Sequence, residues 1–230
     1  MPYLSARPRP SRESAAIVHA ALAWTHGARF ITTASQLDQL PADGPPEIAF
    51  VGRSNAGKST AINTLAQHRQ LAFASRTPGR TQHINLFSLG PKDAPDAVFT
   101  DLPGYGYAAV ARGDKLRRQQ VMADYLRQRR NLAGIVLMID ARHGFTDLDR
   151  ALLDFIAVRI ASGEVRLLVL LTKADKLTRR EAQAVINAAQ GELASLATDQ
   201  ADIGITLFSA LDKRGVDDVA TTLYGWTHRS

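Results

Sequence analysis

Glu47-Ile48-Ala49-Phe50-Val51-Gly52-Arg53-Ser54-Asn55-Ala56-Gly57-Lys58-Ser59-Thr60-Ala61-Ile62 reads as a short apolar strand, a glycine-bounded loop and the opening of a helix. Strand, G-x-x-x-x-G-K-S, helix is the order that a phosphate-binding P-loop needs. Gly52 and Gly57 allow backbone angles and close approaches that a Cβ would block. The loop amides and the helix N-terminus then face phosphate oxygens, whose charge the helix dipole favours. In that geometry Lys58 reaches the β- and γ-phosphates, and the Ser59 hydroxyl ligates Mg2+.

The flanks of this loop predict the fold class. Upstream, Ala15 to Trp24 suits a short amphipathic helix and Phe30 to Thr33 a brief strand, with Pro41 to Pro46 leading into the P-loop strand. Downstream, Ala74 to Thr81 is polar and broken by Pro78-Gly79, so it is expected to be a mobile loop. His83 to Leu89 and Ala97 to Leu102 follow as strands, and a charged helical stretch covers about 114–131. Gly134 to Asp140 and Val165 to Leu171 are almost wholly apolar, as parallel strands covered on both faces are. Between them Leu148, Leu152, Leu153, Ile156 and Ile160 recur at helical spacing. Thr178 to Leu196 is expected as helix, Ile205 to Phe208 as strand and Val216 to Trp226 as the closing helix. This alternation predicts an α/β, three-layer architecture around a mostly parallel central sheet. Residues 1–28 are read as a basic arm and short helix, and 29–230 as a single domain.

Composition bounds the chemistry. The chain has 230 residues and a formal net charge of +6, which suits a polyanionic partner or simple solubility. It has no cysteine, which excludes disulfides and thiolate metal sites and is compatible with a reducing, cytoplasmic setting. No apolar run is long enough to span a membrane, so no membrane partner is expected. Arg7, Arg9 and Arg12 are not followed by an apolar core and small-residue cleavage site, so a secretory leader is not expected; an organellar address stays open.

Further loops fall at strand ends, where a doubly wound sheet binds its ligand. Asp101-Leu102-Pro103-Gly104 ends one strand. Asp101 suits the Mg2+ shell, through water, opposite Ser59, and Gly104 would offer its amide to the γ-phosphate. Thr172-Lys173-Ala174-Asp175 ends another. A carboxylate at Asp175 can accept from both N1–H and the N2 amine of guanine, while the Lys173 stem lies over the base. Phe208-Ser209-Ala210 ends a third, and the Ala210 amide could donate to the guanine O6.

These loops, in this order, look like those of the translation-factor and Ras-related GTPases. More narrowly, the P-loop together with Thr77-Pro78-Gly79-Arg80-Thr81-Gln82 and Asp101-Leu102-Pro103-Gly104-Tyr105-Gly106-Tyr107 resembles the EngB (YihA/YsxC) ribosome-biogenesis GTP-binding proteins. The resemblance runs from about Phe30 to the C-terminus. It implies a G domain that binds GTP and GDP with Mg2+, with Thr81 as the switch-loop ligand of the ion and Gly79, Arg80, Thr81, Gln82 and His83 passing close to the nucleotide. His83 stands where an aliphatic residue is more usual, and a place at a strand start suits it best. Lys58, Thr81 and Gly104 would carry the hydrolysis. The resemblance further implies a monomer that meets the large ribosomal subunit precursor and its RNA, a link to cell division and septation, and no DNA partner.

One part is missing. Ras-like enzymes place glutamine directly after D-x-x-G, and here that residue is Tyr105. Slow intrinsic hydrolysis follows, accelerated by a partner or an ion; a nucleotide-gated RNA- or ribosome-binding module with negligible turnover is the alternative. Asn55 suits either a tight turn or a K+ site, and Arg80 a finger acting in cis. Between residues 111 and 130, Arg112, Lys115, Arg117, Arg118, Arg127, Arg129 and Arg130 outnumber Asp114 and Asp124. That run is either a solvated helix face or a surface for ribosomal RNA, to which Tyr105 and Tyr107 could add stacking, although a tyrosine in a glycine-rich loop more commonly packs.

Overall fold

The computed structural model describes residues 12–72, 83–106 and 112–228. In chain order these form α1 (Arg12–His26), β1 (Arg29–Ala34), β2 (Glu47–Gly52), α2 (Lys58–Leu65), β3 (Ile84–Leu89) and β4 (Ala97–Asp101). Then come α3 (Arg112–Gln128), β5 (Leu132–Asp140), α4 (Asp147–Ala161), β6 (Arg166–Thr172), α5 (Arg179–Leu193), β7 (Ile203–Leu207) and α6 (Val216–His228). Thr77 to Gln82 and Tyr107, which the sequence marks for the switches and for stacking, lie outside the described residues.

The strands make one sheet in the order β1-β3-β4-β2-β5-β6-β7. β4, β2, β5, β6 and β7 pair in parallel, and β3 is antiparallel to both its neighbours. The period-two alternation of a strand divides each central strand between two cores. Ala49, Val51, Ile135, Leu137, Val169 and Leu171 face one core, which α3, α4 and α5 close. Ile48, Phe50, Val136, Met138, Leu168 and Leu170 face the other, which α1, α2 and α6 close. Burial on both faces explains why these strands carry no alternating polar residue. On the second face Trp226 rests directly over Gly134, where a Cβ would lie 2.3 Å from the ring. The helix at the N-terminus packs there too: Trp24 meets Phe99 and Tyr224 edge-on, and its indole N–H donates to Asp96 at 2.7 Å.

Because the five central strands are parallel, Gly52, Asp101, Asp140, Thr172 and Leu207 all end at one rim. Beneath α3 lies a buried polar cluster. Arg129 donates from Nε to Glu47 at 2.8 Å, and the Tyr125 hydroxyl donates to the same carboxylate and meets Thr100 at 2.9 Å. Arg129 is 7% exposed and Glu47 3%. Arg129 therefore leaves the basic surface that the sequence assigned it to, since a buried carboxylate needs a paired cation.

Candidate nucleotide site

β2 ends in Gly52, whose backbone runs so close to β5 that a Cβ would lie 2.7 Å from the Met138 carbonyl oxygen. Gly57 turns the chain into α2 with φ at 98°, the left-handed region that glycine enters without strain. The intervening loop carries Asn55 at its exposed crest, also left-handed at φ 65°. Lys58 is buried under the loop, with its ammonium donating to the carbonyls of Gly52 at 3.1 Å and Arg53 at 3.2 Å. Those two bonds fold the side chain back along the loop, the posture that brings an ammonium to a phosphate cradled by the loop amides. Ser59 and Thr60 lie on the first turn of α2.

Across the rim, the Ser59 hydroxyl donates to Asp101 Oδ2 at 2.8 Å, while Asp101 Oδ1 is buried with no hydrogen-bond partner. Burial raises the Asp101 carboxyl above its usual range, against Lys58 and the Ser59 hydrogen bond. Burial lowers the Lys58 ammonium, against the pull of Asp101. An orphaned carboxylate oxygen beside a hydroxyl is the oxygen-donor set that a hard divalent cation takes. Leu102 and Pro103 are buried, and Gly104 packs so tightly that a Cβ would stand 2.9 Å from Lys58 Nζ.

Tyr105 does not face solvent or a polyanion. Its backbone bridges the P-loop, accepting from the Ser54 amide at 2.8 Å, and its buried hydroxyl donates to Asp149 Oδ1 of α4 at 2.6 Å. Of the two readings of Tyr105, packing and stacking, the structure shows packing: the ring lies in the core and its hydroxyl is committed to Asp149. Asp149 in turn caps α4, accepting the Thr146 amide and hydroxyl, each at 2.7 Å.

The loops after β6 and β7 interlock. Thr172 donates its hydroxyl to the Ala56 carbonyl of the P-loop at 2.9 Å. Lys173, left-handed at φ 58°, reaches back to the Asn55 carbonyl at 3.2 Å. The buried Ser209 hydroxyl donates to Asp175 Oδ1 at 2.9 Å and holds that carboxyl below its usual range, so Asp175 is a charged acceptor at the rim. The Ala174 amide donates to the Phe208 carbonyl at 3.2 Å, which seats the half-buried Ala210 beside this carboxylate loop. The structure so gathers the P-loop, Asp101 to Gly104, Thr172 to Asp175 and Phe208 to Ala210. It gives His83 a different neighbour: the exposed ring, at the entry to β3, meets Ser35 at 3.0 Å. Gly79, Arg80, Thr81 and Gln82 lie outside the described residues.

Two groups at this rim were missed in the sequence. Asp140 ends β5 and binds both Arg142 and Lys173, and Asp149 receives Tyr105. Asp140 had a readable signal, since it closes an apolar strand just as Asp101 does.

Residues 47–173 match the family model described as 50S ribosome-binding GTPase. The EngB GTP-binding protein of Albidiferax ferrireducens is 60% identical over 209 residues, covering 90% of this chain and 97% of its own length. That of Acidovorax ebreus is also 60% identical, over 90% of this chain and 91% of its own. Among solved structures, Aquifex aeolicus Era bound to GDP·AlF4- aligns with a TM-score of 0.63 at 22% identity. The match covers 80% of this chain and 57% of Era; at that identity it shows the shared P-loop GTPase fold.

Proposed function

The chain belongs to the EngB family of GTP-binding proteins and is a GTPase, and on that premise we propose that it is a Mg2+-dependent switch in assembly of the large ribosomal subunit. The observation that carries the nucleotide half of this reading is the Ser59–Asp101 pair beside Lys58, with one buried carboxylate oxygen unpartnered. Ser59 would hold the ion directly and Asp101 through water, and the ion supplies charge neutralisation at the phosphate oxygens. The P-loop amides and Lys58 bind and orient the β- and γ-phosphates. Gly104, with no side chain between it and Lys58, leaves its amide free to meet the γ-phosphate. Asp175, held ionised by Ser209, would select guanine. Thr81 is assigned the switch-loop contact to the ion on family grounds.

With Tyr105 committed to Asp149, no side chain directly after Gly104 orients the attacking water. Slow basal turnover follows, raised by the ribosomal particle or by K+ held near Asn55. The ribosomal half is supported by the description of the matching family and by Arg117, Arg127 and Arg130, which stay exposed on and just after α3. The family's tie to septation, a cytoplasmic monomer and the absence of a DNA partner belong to the same proposal.

The test is sedimentation of the tagged protein with large-subunit precursors in GDP and in a non-hydrolysable GTP analogue, with turnover measured in K+ and in Na+. Retention should favour the GTP analogue and weaken steeply with salt. Equal retention in both nucleotides would remove the switch, and equal rates in both salts would remove the Asn55 cation site.

A further inference from the structure

At the rim, Asp140 stands between the guanine loop and the turn that follows β5. Its Oδ2 accepts Lys173 Nζ at 2.7 Å and Arg142 at 2.7 Å, and its Oδ1 accepts the Arg142 Nε at 2.9 Å and the Arg142 amide at 3.1 Å. We propose that Asp140 is a positioning residue for guanine-nucleotide binding, aiming Lys173 across the P-loop crest so that its aliphatic stem forms the floor under the base.

Geometry carries the argument. Lys173 has a flexible four-carbon stem, and without fixed partners its rotamers would not present one surface to a ring. Here the ammonium is pinned at both sides, by the Asp140 carboxylate and by the Asn55 carbonyl 3.2 Å away. The left-handed backbone at Lys173 adds a third constraint. Arg142 keeps Asp140 in place through a two-pronged contact, the stronger geometry of a guanidinium–carboxylate pair. Burial would raise the Asp140 carboxyl, but Arg142 and Lys173 together hold it well below the usual carboxylate range, so it stays an acceptor throughout the working pH. Lys173, Asp140, Arg142 and Asn55 also line one cavity of about 220 Å³ against the P-loop, so the pair is set beside the phosphate cradle. The carboxylate thus joins three chain segments, the P-loop, the loop after β6 and the turn after β5, through the side chain expected to lie against the face of the base.

The inference rests on reading Thr172 to Asp175 as the base-recognition loop, so the experiment separates the two. Calorimetry with GDP compares the wild type with Asp140→Asn, Asp140→Glu, Arg142→Gln, Lys173→Met and the Asp140→Asn/Lys173→Met double variant. Asp140→Asn should weaken GDP about tenfold, from loss of one charge-assisted contact. Asp140→Glu should recover most of that loss, and Arg142→Gln should cost less than Asp140→Asn, about threefold, because Asp140 loses its clamp but keeps the Lys173 contact. In the Lys173→Met background, Asp140→Asn should add less than about twofold. An equal loss in both backgrounds, no loss at all, or a larger loss at Arg142→Gln than at Asp140→Asn overturns the proposal, the last because it assigns the effect to the turn's shape. Asp175→Asn is the separate control: if preference for GDP over xanthosine diphosphate survives it, the base-loop reading fails regardless of Asp140.

Discussion

Replacing Tyr105 with phenylalanine separates two roles for the residue that stands where related GTPases carry glutamine. The ring keeps its place, so no cavity opens, and only the hydroxyl bonded to Asp149 at 2.6 Å is lost. Asp149 is 1% exposed and retains the Thr146 amide and hydroxyl on its other oxygen. A hydrogen bond to a charged group contributes about 1.5–3 kcal/mol, so the loss should be about 2 kcal/mol. For a chain of this length that lowers Tm by about 4–8 °C. The contacts between Tyr105 and the P-loop run through its backbone, from the Ser54 amide and to the Gly52 carbonyl, and survive the substitution. Basal GTP turnover should therefore stay within about twofold. Burial, then Asp149, raises the phenol far above its ordinary value, so wild-type turnover should show no alkaline step from this group. Calorimetric melting and phosphate release, run on the same preparation, decide the matter. A tenfold fall in kcat at unchanged Tm would mean that the hydroxyl faces the reacting water, and the geometric argument would be refuted.

Arg129→Ala should destabilise by about 3–5 kcal/mol in urea titration, because it strands the buried Glu47 carboxylate; a change under 1 kcal/mol would mean that water reaches Glu47. Gly134→Ala sets a methyl 2.3 Å from the Trp226 ring and should cost about 1–3 kcal/mol by thermal melting, since the β-strand backbone cannot yield without shifting α6. The depressed Asp140 carboxyl gives a pH signature. A folded-state value below the unfolded one, near 3.9, contributes stability that is complete above that pH and is lost as pH falls through the folded value. The difference in Tm between wild type and Asp140→Asn should therefore shrink below about pH 4; a gap that widens in acid would reverse the sign.

The central sheet was readable because burial on both faces leaves long apolar runs, and the P-loop because its glycines and Lys58-Ser59 have no common structural substitute. Strand ends were placed to within about two residues, since the apolar pattern stops where the rim begins. What escaped was pairwise. Nothing in Arg129 distinguishes it from Arg127 or Arg130 in the same basic run, yet its guanidinium lies under the helix because Glu47, 82 residues earlier, begins the P-loop strand. Tyr105 read as a loop aromatic because its partner is a helix cap 44 residues onward. Asp140 looked like a strand-ending polar residue until the parallel register set it opposite Thr172, one residue before Lys173. Such pairs depend on which strand lies beside which, and periodicity carries no such information.

Under the proposed switch, the two buried carboxylates would constrain how a signal from the nucleotide reaches the basic helix. Tyr105 and Gly106 precede α3 by a short connection, and Arg129 follows its last residue directly. Tyr105, upstream of the helix, is tied to α4, and the far end of α3 is tied through Arg129 and Tyr125 to the start of β2. The second tie joins one cation and one hydroxyl to a single carboxylate beneath the helix and would cost the most to break. The first involves one hydrogen bond and sits next to Gly104, the residue packed on Lys58. A shift at the γ-phosphate position therefore meets the weaker tie first and would turn α3 about its Glu47 end. A pivot of that kind moves Arg117 more than Arg127, so the proposed salt-dependent ribosome binding in the GTP state should be lost more fully in Arg117→Ala than in Arg127→Ala. Arg127 is in any case held over the Phe155 ring of α4 at 5.1 Å. Equal losses at the two positions would indicate a helix that translates as a unit, which the Glu47 anchor forbids.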